Sequence, residues 1–187
     1  MATSAATPAQ TARTVTAPTT HLGELSSLVL LAVLLGAALI LNMTVGNALA
    51  MTGIKPQFII AAYSLAILLT RASFGQSVLF ALIAAAVTQL STSVPGANFV
   101  SETIAALVMA ALIRTNLTVA GKSVTPLVAS FVTTLVSGAI FAVLGTVLMG
   151  AALPTVLVKV PMVLSVAVFN AVFIQATYPL LKKALHK

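Results

Sequence analysis

The stretch Gln89-Leu90-Ser91-Thr92-Ser93-Val94-Pro95-Gly96-Ala97-Asn98 is a polar turn set between two apolar segments, each long enough to cross a membrane. Pro95 and Gly96 end one helix there and let the next begin. A second short turn, Thr52-Gly53-Ile54-Lys55-Pro56, holds much of the remaining polar chemistry. Around these two turns nearly everything else reads as lipid-facing or helix-packing material.

Composition points the same way. Of 187 residues 60% are hydrophobic and 6% charged, with a mean hydropathy of +1.16, whereas soluble domains carry roughly 25% charged residues. An all-α integral membrane protein is expected. Apolar segments fall at about 24–42, 56–71, 74–93, 99–114, 125–150 and 156–181, which predicts six transmembrane helices. At 1.5 Å per residue Leu25 to Leu41 of the first covers about 26 Å of a hydrocarbon core of roughly 30 Å. The second and fourth are shorter and are expected to tilt little or to sit buried. The fifth carries Gly138, Gly145 and Gly150, which allow close helix contact or a bend. Residues 1–21, built of Ala, Thr, Ser and Pro without an apolar run, read as a disordered cytoplasmic tail ahead of one domain over 22–187. The first apolar run begins too late and runs too long for a signal peptide.

Charge gives the orientation. The formal charge is +7, but the basic residues sit singly between apolar runs, a pattern that orients helices rather than binding nucleic acid. Arg13, Arg71, Arg114, Lys122, Lys182, Lys183 and Lys187 fall on one side of a six-span chain, and only Lys55 and Lys159 on the other. Cytoplasmic loops are enriched in Lys and Arg, so both termini are expected in the cytoplasm of a bacterial cell membrane. With no cysteine there is no thiolate, no disulfide and no zinc site of the usual kind, and His21 and His186 lie outside the spans. No catalytic constellation, metal site or cofactor site is expected, and the chain does not read as an enzyme.

The candidate binding residues gather at the outer turns. Lys55 precedes Pro56, a residue favoured at the first position of a helix, so its ammonium and free backbone N–H groups would point together at a carboxylate or phosphate. The alternative is a lysine reaching lipid headgroups. Asn98 is placed to cap the following helix by accepting from the Ser101 N–H, and Glu102 then lies in its first turn. Glu102 and Glu24 are the only acids in the chain, and an ionisable group near hydrocarbon is costly enough to suggest function. Glu102 would pair with Lys55 in the empty site, accept a bond from a ligand, or simply sit on the helix dipole. Gln89, with Ser91, Thr92 and Ser93, supplies further donors and acceptors. Among the remaining intramembrane polar residues, Tyr63, Asn170 and Gln175 are the larger ones; Asn170 and Gln175 are expected to face the bundle interior as helix glue or ligand contacts. Phe58, Phe99 and Phe169 are candidate apolar walls. The sequons at Asn42 and Asn116 are discounted, one lying at a membrane edge and the other on the cytoplasmic side.

The succession Gly53-Ile54-Lys55-Pro56, Ser91-Thr92-Ser93-Val94-Pro95-Gly96, Ser137-Gly138 and Asn170 resembles the bacterial tryptophan-transporter family. That family is in turn similar to the substrate-binding S components of energy-coupling factor (ECF) transporters. The resemblance spans about residues 25–182. It implies a six-helix protein that captures a small nutrient from outside, through Lys55, Tyr63, Gln89, Asn98, Glu102 and Asn170. It further implies docking by small residues of the first helix, Ala32 and Gly36, onto a transmembrane coupling subunit served by two ATPase subunits. No phosphate-binding loop occurs in this chain, so ATP chemistry would belong to those partners. After the Pro-Gly turn the chain reads Ala97-Asn98-Phe99-Val100-Ser101-Glu102 and departs from the family pattern, which puts the substrate in doubt. Pantothenate or another water-soluble vitamin is as credible as tryptophan. A stand-alone secondary transporter and a structural membrane subunit are the other classes compatible with these residues.

Overall fold

A computed structural model describes residues 20–119 and 121–185, with side-chain surroundings from residue 24 onward. The expected tail lies outside the described residues except at Thr20 and His21, where α1 (Thr20–Leu41) is already helical. The helix continues through a π-helical turn (Asn42–Gly46) into α2 (Asn47–Ala50). Then follow α3 (Phe58–Thr70), α4 (Phe74–Thr88), α5 (Ala97–Leu112), a hairpin of β1 (Thr118–Val119) and β2 (Lys122–Ser123), α6 (Thr125–Leu148) and α7 (Thr155–Leu185). Among the described residues three helical stretches are long and apolar enough to cross a membrane: Glu24–Ala50, Thr125–Leu148 and Thr155–Leu185. α3, α4 and α5 are apolar but shorter, and this set of helices is compatible with an all-α membrane protein.

The short helix α3 lies at the centre. Every residue from 58 to 68 is buried, and α1, α4, α5, α6 and α7 all pack against it. A helix apolar on all sides is stable only when surrounded, and its 13 residues span about 20 Å, less than the hydrocarbon core. α7, at 31 residues, extends about 46 Å by the same rise and overreaches that core.

Local chemistry fixes the joints. Ser73 caps α4 by accepting from the Gln76 N–H, while the Gln76 side chain accepts from the Ser73 N–H, a reciprocal capping box. Arg71 takes a left-handed conformation, φ 51°, to turn α3 into α4. The sequence boundary of the first span at residue 42 proves too early. Thr44 and Asn47 bond back to the carbonyls of Ile40 and Met43, so the polar residues there stay within a helix instead of opening into a loop.

Helices α6 and α7 run in opposite directions, with Gly138 against Val163, Gln175 bonded to Leu127 N–H, and Lys159 bonded to Thr146. A Cβ at Gly138 would stand 2.7 Å from Val163 Cγ1, so glycine sets how closely these two helices approach. The basic residues divide between the two ends of the bundle. Arg71 donates to the Ile113 carbonyl, Arg114 donates to Ala110 O and stacks on Phe74, and Lys182 approaches the Tyr178 ring. A small cavity of about 40 Å³ lined by Arg71, Asn116, Ser123 and Tyr178 ties these segments to one end. Lys55 and Lys159 belong to the opposite end, near the starts of α3 and α7.

Candidate functional site

Glu102 lies in the second turn of α5, not the first, because the helix begins at Ala97 behind a left-handed Gly96 with φ 83°. Its side chain turns inward and is 3% exposed. Tyr63 of α3 donates its hydroxyl to Glu102 Oε2 at 2.8 Å, and Ser137 of α6 donates to Oε1 at 3.1 Å. Asn98, four residues earlier on the same face of α5, brings its side chain within reach of the carboxylate. One carboxylate therefore joins three helices, and every partner it has here is neutral.

Asn98 does not cap α5. The expected bond from Ser101 N–H is absent, and the Asn98 side-chain oxygen instead accepts from the Thr92 hydroxyl at 2.8 Å. This links the 89–96 turn to the buried carboxylate. Gln89 holds the same turn in shape: its Oε1 accepts from Gly96 N–H at 3.0 Å and its amide donates to the Ala85 carbonyl. Val94 tucks inward against Gly145, which anchors the turn over α6.

On the other flank Asn170 of α7 is fully buried. Its amide donates to Thr134 Oγ1 and to the Gln57 carbonyl, both at 3.3 Å. Its Oδ1 has no partner, and the buried Ser64 Oγ has none either. Thr134 and Ser137 stand three residues apart on α6 and so share a face. A continuous polar belt runs across the bundle: Thr92, Asn98, Glu102, Ser137, Thr134 and Asn170, with Tyr63 beside Glu102.

Lys55 is not part of this belt. The helix it was expected to precede begins at Phe58, with Pro56 and Gln57 outside it. The Phe58 N–H, the donor an anion would have used, is already bonded to Asn42 Oδ1 at 2.9 Å. Lys55 stays part-buried in the connector of residues 51–57, and the groups bonded to Glu102 are the hydroxyls of Tyr63 and Ser137. Pro56 is therefore not the first residue of the helix, and a side chain from another segment caps its first N–H. Asn42 carries no site signal in the sequence beyond a sequon, and its burial agrees with discounting that sequon.

The other candidates divide. Gln175 bonds the Leu127 N–H and the Ser123 carbonyl, tying α7 to the start of α6 rather than lining a site. Phe58 meets Phe169 and Phe173 edge-on, with ring centres 5.7 and 5.6 Å apart, whereas Phe99 is exposed. Beside this cluster lies an open groove of about 210 Å³ between α1, α3 and α7, walled by residues such as Leu34, Leu65 and Leu181. Its one hydroxyl, Thr177, is bonded to the Phe173 carbonyl, so the groove offers no polar recognition. Ala32 and Gly36 are exposed on α1, and a Cβ at Gly36 would meet nothing within 4 Å.

No family model matches the chain, and the searches of curated proteins and of solved structures found no match to it.

Proposed function

We propose that this chain is the substrate-binding S component of an ECF-type ABC importer in a bacterial cell membrane. In this reading it has six spans and cytoplasmic termini, and it captures a small water-soluble nutrient from outside, tryptophan or a vitamin such as pantothenate. A transmembrane coupling subunit and two ATPase subunits complete the importer. The observation that carries the reading is the buried carboxylate of Glu102, bonded by Tyr63 and Ser137 from two other helices. A polar group in a membrane interior is costly, and one held jointly by three helices next to a turn is placed to recognise a solute and to report its arrival. Exposed Ala32 and Gly36 give α1 a smooth face on which another helix packs closely. The basic end of the bundle, with Arg71, Arg114 and Lys182, faces the cytoplasm.

Thermal unfolding of the full-length protein in detergent, with tryptophan and a panel of vitamins, tests the binding half of this reading. A ligand at about 100 times its dissociation constant adds roughly 2.7 kcal/mol to the folded state, a visible rise in the unfolding temperature. Absence of stabilisation by every compound would count against a nutrient-binding role.

A stand-alone secondary transporter is the second reading. It is favoured by the neutrality of all the partners of Glu102, since such a carboxylate is suited to carry a coupling proton. Uptake into proteoliposomes by this chain alone would select it over the ECF reading.

A further inference from the structure

We infer that the solute bound at this site presents a positively charged N–H donor, such as a protonated amine or amidine, to Glu102; the inference rests on the nutrient-binding reading above. The belt is rich in acceptors and lacks a cation. A carboxylate offers about four lone-pair positions, and the hydroxyls of Tyr63 and Ser137 engage two of those of Glu102. Asn170 Oδ1, buried and without a partner, is a second open acceptor. Ser137, which donates to Glu102, and Thr134, which accepts from the Asn170 amide, stand three residues apart on one face of α6, so both acceptors are held from the same helix face. A ligand carboxylate in the same place would face Glu102 as a like charge, with the expected counter-ion Lys55 outside the belt.

The belt is closed, with Glu102 and Asn170 both buried, and the 51–57 connector touches it through the Gln57 carbonyl, which accepts from Asn170 at 3.3 Å.

The test compares tryptamine, thiamine and agmatine with indole-3-propionate, pantothenate and biotin as stabilisers of the full-length protein in detergent. At least one amine-bearing probe is expected to raise the unfolding temperature, and the purely anionic probes are not. Glu102→Gln keeps the side-chain shape and removes the charge; it is expected to weaken the amine probe at least tenfold. Stabilisation by an anionic probe, unchanged in Glu102→Gln, would overturn the assigned charge and leave the nutrient-binding reading standing. An amine probe that binds the wild type and Glu102→Gln equally well would also overturn it. If no probe of either sign stabilises the protein, the inference and the reading beneath it both fall.

Discussion

Truncating Glu102 and neutralising it are different perturbations. Glu102→Ala leaves the hydroxyls of Tyr63 and Ser137 buried without an acceptor, and each orphaned group costs about 1–3 kcal/mol. Glu102→Gln keeps an acceptor between them and removes the ionisable group that they hold. Unfolding in detergent should therefore show Glu102→Ala destabilised by about 2–4 kcal/mol and Glu102→Gln within about 1 kcal/mol of the wild type. Equal losses in both would mean that the charge itself holds the fold. Asn42 gives a second residue-scale test. Its side chain caps the Phe58 N–H inside the bundle, so Asn42→Ala should cost about 1–2 kcal/mol, seen as a fall of a few degrees in the unfolding temperature. Rarity made part of this site legible: Glu102 and Tyr63 are conspicuous in an apolar chain, and both lie at its centre. The partners were not legible. Ser137 stood out only within the Ser137-Gly138 motif of the resemblance, with nothing to pair it with Glu102, and Asn42 acts on a residue sixteen positions away, a distance over which no local pattern carries information. Lys55 was misplaced for a related reason, because Pro56 looked like a helix start while the actual cap comes from another segment.

Glycine sets the spacing of whole elements where α6 meets α7. A side chain at Gly138 has nowhere to go, with Val163 Cγ1 at 2.7 Å from the Cβ position and Cγ2 at 3.3 Å. Gly138→Leu should push the two helices apart and destabilise the protein by about 1–3 kcal/mol, the usual range for overpacking. Val163→Ala in the same chain should recover much of that loss, because the two changes act on one contact and so are not additive. A double mutant no better than the single would place the strain elsewhere. The helical segments themselves were readable from apolar runs: α6 and α7 begin within a residue of their expected starts. Boundaries failed where polar residues were satisfied locally. The helix of α1 runs on through the π-helical turn to Ala50 because Thr44 and Asn47 bond their own helix, and sequence alone does not distinguish that from a loop. The central position of α3 was hinted at by its length, but its encirclement depends on packing among five helices.

At the scale of the molecule, the uneven charge of the two ends and the bare face of α1 make separate claims about how the protein sits and what it meets. Because the chain has no cysteine, single cysteines report topology directly. Ser93 lies exposed in the 89–96 turn and Ser123 exposed on the hairpin, at opposite ends of the bundle. In intact cells a membrane-impermeant thiol reagent should label Ser93→Cys and spare Ser123→Cys until the membrane is opened. Labelling of both from outside would refute the proposed span count, and the reverse pattern would invert the orientation. The α1 face is tested through function instead. Gly36 has open space where a side chain would go, and Ala32 is exposed one turn away, so Ala32→Leu and Gly36→Leu should leave the fold and its unfolding temperature nearly unchanged. If another helix packs there, added bulk removes the close approach that small residues permit. Uptake by the assembled importer should then fall at least tenfold, while stabilisation of the isolated variant by ligand persists. Uptake unchanged by both substitutions would show that this face meets only lipid, and loss of ligand stabilisation would show that it acts on the site rather than on a partner.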